Sequence, residues 1–102
     1  MQTIQPTETQ VSAVQHYLEH EFPGQVRHTW WNEEMMAQVF EVQGDIQRHI
    51  AVDCGFFQDC PNCAMALRES ELAEYIREAL SPRCFVVRWH NHEVRVRSKP
   101  LS

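Results

Sequence analysis

The sequence predicts an α+β fold, one twisted antiparallel sheet of about five strands with two helices on one face. Three observations carry this. An apolar stripe at helical spacing opens the chain, and three short segments rich in aromatic and β-branched residues follow it. A second helical pattern then precedes a hairpin whose last strand alternates strictly between apolar and charged residues. The resulting order is α-β-β-β-α-β-β, and the short connections favour antiparallel pairing throughout. Elements of this size bury their apolar sides in two layers, helices on sheet.

The first helix is expected at about residues 8–21. Thr7 and Gln10 have capping-box spacing, and Pro6 stands just before them. Val11, Val14, Leu18 and Phe22 form its apolar stripe, and Pro23-Gly24 ends it. Strands are expected at 25–31, at 36–42 with Phe40 and Val42 inward, and at 46–52 with Ile46, Ile50 and Val52 inward. Gly44-Asp45 between the last two suits a tight hairpin.

The second helix poses a phase problem. Leu72, Ile76, Ala79 and Leu80 share one face at 100° per residue, opposite Glu71, Glu74 and Glu78. A helix begun at Asn62 would project Leu67 onto that acidic side. A break near Arg68–Ser70, with Ser70 as N-cap, resolves this and leaves residues 63–67 extended or irregular. One helix from Asn62 is the alternative. Ser81-Pro82 stops the helix in either case. Strands at 84–90 and 92–97 follow, with a turn near Asn91.

The 102 residues form one domain, 1–102, with 1–6 and 98–102 as loose ends. Hydrophobic residues make up 43% of the chain and charged residues 23%, a composition that argues against disorder. The N-terminus carries neither a basic segment nor an apolar run, and no stretch approaches the length of a membrane span. The expectation is a cytoplasmic protein whose four cysteines are free thiols. The formal net charge is −5 and is unevenly placed. Residues 1–82 hold thirteen acids and four bases, whereas residues 83–102 hold five bases against Glu93 alone.

Four constellations could carry chemistry. Cys54, Cys60 and Cys63, with Cys84 further on, could hold zinc, because a C-x2-C knuckle supplies two soft ligands. A strong zinc signal would add a second close pair, and none is present. Cys60-Pro61-Asn62-Cys63 also has the spacing of a redox dithiol, although the parallel βαβ context of that chemistry is lacking. The plainer reading makes these cysteines small apolar residues. His16, Glu19 and His20 match H-x-x-E-H, but the two histidines lie opposite the apolar stripe and would face solvent, where no catalytic zinc is shielded.

Arg88, Arg95 and Arg97, near His90 and His92, could form a cationic patch for phosphate or nucleic acid. The acidic body argues against nucleic acid. Trp30 and Trp31 must point to opposite faces of a strand, so one fills the core and the other reaches the open face, where tryptophan marks interfaces.

The element order resembles that of the secretion-chaperone-like fold, usually completed by a further helix absent here. The resemblance implies a small acidic dimer that binds polypeptides. It is one of element order, and no family is assigned on it. No Ser-His-Asp order, phosphate loop or dinucleotide fingerprint appears, so an enzyme is not the expectation. The expected function is a non-catalytic protein-interaction domain that self-associates through its open sheet face. Trp30, Trp31, Arg88, Arg95 and Arg97 are the candidate partner contacts. Metal or thiol-redox chemistry at the cysteines, and phosphate or nucleic-acid binding by the terminal hairpin, are the alternatives.

Overall fold

The computed structural model describes residues 5–101. Residues 1–4 of the expected N-terminal loose end, and Ser102, fall outside it. The chain order is α1 (Glu8–Glu21), β1 (Val26–Asn32), β2 (Ala37–Gln43), β3 (Gln47–Asp53), α2 (Cys54–Asp59), α3 (Cys63–Glu69), α4 (Leu72–Arg77), β4 (Arg83–His90) and β5 (Glu93–Pro100). The fold is α+β with a single five-stranded sheet, open rather than closed, whose spatial order follows the chain.

The helix α1 forms as its caps dictate. The Thr7 hydroxyl accepts from the Gln10 N–H, and the Gln10 amide oxygen accepts from the Thr7 N–H, so two orphan donors of the first turn are satisfied. Val14, Leu18 and Phe22 are buried and Val11 half-buried, as the stripe requires. Tyr17 is buried too. Its hydroxyl accepts from the Ala73 N–H at 3.2 Å, tying α1 to the first turn of α4.

Three pairs of strands, β1–β2, β2–β3 and β4–β5, are antiparallel. The pair β3–β4 is parallel, which corrects the expectation of antiparallel pairing throughout. Parallel neighbours need a long crossover. The helices between Asp53 and Arg83 supply it by carrying the chain back along the sheet, so that β4 enters in the direction of β3.

That crossover contains three helices rather than one. Asp53 caps α2 by accepting from the Gly55 N–H at 3.0 Å. Asn62 caps α3 by accepting from the Met65 N–H at 3.1 Å, so residues 63–67 are helical rather than extended. A break does fall near Ser70, but Ser70 ends α3 instead of starting the next helix. Its hydroxyl donates to the Leu67 carbonyl at 2.7 Å. Glu71 then takes a left-handed conformation, φ 60°, which swings α4 into a new phase. Both Leu67 and Leu72 thereby reach the core.

All four helices cover the same face of the sheet. Val14, Leu18, Phe56, Phe57, Leu67 and Ile76 pack there against Phe40, Ile50, Phe85 and Val87. Arg48 is also buried on that face, 6% exposed. Its guanidinium donates to the carbonyls of Ile76 at 3.0 Å and Ala79 at 3.3 Å, a cation at the C-terminal end of α4 and the turn beyond it. Ile46 lies in a three-residue loop rather than in the strand, since Gln43 pairs directly with Gln47. The expected loose end at 98–102 is ordered as far as Leu101: β5 runs to Pro100, and the Leu101 N–H donates to the Pro82 carbonyl.

Candidate functional site

The helix-free face of the sheet is built by strand alternation. Residues paired across all five strands give the row Trp30–Val39–Ala51–Val86–Arg97. One step along the strands lies His28–Glu41–His49–Cys84–Lys99. The centre is made of small side chains: Ala37, Val39, Ala51 and Cys84 are buried, with Met35, Val86 and Leu101 against them. No helix residue belongs to this cluster. Trp30 stands at one end, 38% exposed, its ring edge-on to His49 at 5.3 Å between centroids. Arg95, Arg97 and Lys99 stand exposed on β5 at the other end.

The two tryptophans face opposite sides of the sheet as the strand period demands, but neither fills the core as expected. Trp31 pairs with Gln38 and lies on the helix side, half-buried, where its indole N–H has no hydrogen-bond partner among the described residues. Trp30 alone therefore presents an aromatic ring on the open face.

The cysteines do not converge. Cys60 and Cys63 are buried in the core beneath the helices, whereas Cys84 belongs to the cluster on the opposite side of the sheet. Cys54 begins α2 and is half-buried. The sheet itself separates Cys84 from the C-x2-C pair. Among the described residues no group of three or more His, Cys, Asp or Glu side chains is placed to hold a metal ion. The structure does bring Cys60 and Cys63 together in one buried cluster. Burial pushes the Cys63 thiol up to about 11, with the neighbouring Cys60 adding to the effect. Burial raises Cys60 and Cys84 as well. Both members of the pair therefore stay protonated at neutral pH, the opposite of what a redox nucleophile needs.

His16, Glu19 and His20 lie exposed along α1, with no shielding wall over them. The terminal hairpin does assemble a cationic cluster. Arg88 pairs directly with Arg95, and Arg97 follows on the same face of β5. The two-residue turn between the strands is Asn91-His92, both at positive φ. Arg48 and Tyr17, which hold the helix layer in place, were invisible to sequence reasoning because their partners are backbone groups of a distant helix. No helix among the described residues is long and apolar enough to cross a membrane. No protein-family model, curated protein or solved structure matches this chain.

Proposed function

We propose that this chain is a non-catalytic protein-interaction domain that self-associates through the helix-free face of its sheet. The observation that carries the reading is the row Trp30–Val39–Ala51–Val86–Arg97, which is complementary to its own reverse. A two-fold axis along β3 at Ala51, lying between two facing sheets, turns the row back upon itself. Trp30 of each copy then faces Arg97 of the other, and the axis passes over Ala51, which Met35, Val86 and Leu101 already cover within each chain.

The chemistry of these contacts suits an isologous dimer. A guanidinium over an indole face is a favourable cation–π pair. Small central side chains let two sheets approach to about 10 Å. Five strands of seven or eight residues, at about 4.8 Å per strand and 3.3 Å per residue, span roughly 24 by 23–26 Å. Two such faces reach the roughly 1,000 Å² that a specific interface needs. The same operation lays the β5 cations of one copy over the β1–β2 half of the other, where Glu41 is the acid on that face. Edge-to-edge pairing of β5 with itself has no such complementarity, because it would crowd Arg95, Arg97 and Lys99 against their own copies.

Sedimentation equilibrium tests the reading. The wild-type chain should behave as a reversible dimer. Trp30→Ala should weaken it by about 30-fold or more, the loss typical of an interfacial tryptophan worth about 2 kcal/mol. A wild-type chain that stays monomeric at high micromolar concentration would sink the proposal.

A further inference from the structure

We propose that the hairpin end of β4–β5 is a binding site for a phosphate monoester, with Arg88, Arg95 and Arg97 holding the phosphoryl oxygens. The proposal does not rest on self-association. Register puts Arg88 directly opposite Arg95 on the helix-free face. Side chains so placed stand about 5 Å apart at Cβ, and like charges there oppose the fold. Two guanidinium groups in this relation, with a third next along the strand, concentrate positive charge that a bound anion would relieve.

The site is a concavity. Arg88, Arg95, Arg97, His90, Trp89 and Asp53 line an open hollow of about 620 Å³. Among the described residues neither Arg88 nor Arg97 has an ion-pair partner. Two carboxylates lie close. Asp53 is engaged by the Gly55 N–H as the cap of α2. Glu93 pairs with Arg95 at 3.0 Å, but both side chains are about 60% exposed, and a pair so open is readily displaced. With both carboxylates counted, the three arginines still leave a net positive charge.

The donor set selects the ligand. Each guanidinium offers a planar fork of N–H donors matched to two oxygens. One carboxylate would saturate a single fork and leave the opposing arginine bare. A terminal phosphoryl group has three oxygens and can bridge both forks. A nucleic-acid backbone requires cations spread along a track. Here the cations form a single cluster, and the preceding 82 residues carry thirteen acids against four bases.

The test is a backbone-amide NMR titration with inorganic phosphate at pH 7.5 and constant ionic strength. Saturable shifts centred on Arg88, Arg95 and Arg97 are expected. Arg88→Gln should weaken binding roughly tenfold to a hundredfold, the range for a hydrogen bond to a charged group. Glu93→Gln removes the competing carboxylate and should tighten it. Trp30→Ala, which removes the residue that would face Arg97 in the proposed dimer, should leave phosphate affinity unchanged or tighten it. The proposal is overturned if shifts fail to saturate or are as large at Arg27 and Arg68, if Glu93→Gln has no effect, or if Trp30→Ala abolishes binding. Tighter binding of a single-stranded oligonucleotide per phosphate would overturn it in favour of a polyanion. Binding confined to vesicles of phosphatidylcholine with phosphatidic acid would overturn it in favour of a lipid surface.

Discussion

Arg48 shows how one side chain can hold a layer in place. It leaves the sheet on the helix side and ends on two backbone carbonyls at the close of α4. Its salt bridge to Asp45 adds little, because that carboxylate is 86% exposed. The carbonyls matter more, since removing the buried guanidinium takes the Ala79 carbonyl's side-chain donor and leaves the Ile76 carbonyl with the Ala79 N–H alone. Arg48→Ala should therefore cost about 2–4 kcal/mol in denaturant unfolding, whereas Asp45→Ala should cost under about 1 kcal/mol. Equal effects from the two would contradict this division. In the sequence, Arg48 stood within an alternating strand and no local pattern marked it as buried, since its partners lie some thirty residues on. The capping box of Thr7 and Gln10 was legible because both partners lie within one turn. The facing of Trp30 and Trp31 was legible as well, since adjacent strand residues must diverge.

Single elements were legible wherever a repeating pattern had room to show itself. The helix α1 and the strands β1, β2 and β4 lie within a residue or so of their expected ranges. The helix α2 was missed because its six residues include Gly55 and are too short for any period to appear. Between α3 and α4 the phase argument located the break, because Leu67 and Leu72 cannot both face the core along one straight helix. It misplaced the cap, because the turn relies on Glu71 in a left-handed conformation, an uncommon choice for a residue other than glycine, asparagine or aspartate. The β4–β5 turn uses similar geometry. Asn91 tolerates positive φ, but His92 adopts φ 62° at a steric cost. His92→Gly should relieve that cost and raise stability by about 1 kcal/mol, read as a higher denaturation midpoint with an unchanged slope. A destabilised variant would mean that the histidine ring, edge-on to Trp89 at 6.4 Å, outweighs the strain.

Across the whole molecule, a helix layer on one face of the sheet was legible, although two helices were expected there and four are found. The parallel β3–β4 pair was not, because a helical crossover can return the chain in either direction and no local residue records which. The cysteine cluster misled for a related reason. Closeness in sequence suggested closeness in space, but alternation and the crossover put Cys84 on the far side of the sheet from Cys60 and Cys63. Those thiols instead give the molecule an alkaline limit. Folded Cys63 holds its proton up to about 11, against 9.0 for an ordinary thiol, so between these values the unfolded chain has lost a proton that the folded one keeps. Stability must then fall as pH rises from about 9 to 11. Burial at Cys60, Cys84 and Tyr17 pushes in the same direction. Cys63→Ala should flatten the slope across that window, and an unchanged slope would show that Cys63 does not dominate it.

The open face is the part of the molecule whose role follows least from folding and most from what could meet it. Trp30 and Arg97 lie on opposite edges of the sheet, four strand spacings or about 19 Å apart, so they cannot touch within one chain. A double-mutant cycle on the dimer dissociation constant, using Trp30→Ala, Arg97→Ala and the double variant, isolates their contact between chains. Self-association through this face predicts a coupling of about 0.5 kcal/mol or more. Strictly additive losses, or a wild-type chain with no dimer to dissociate, would contradict it.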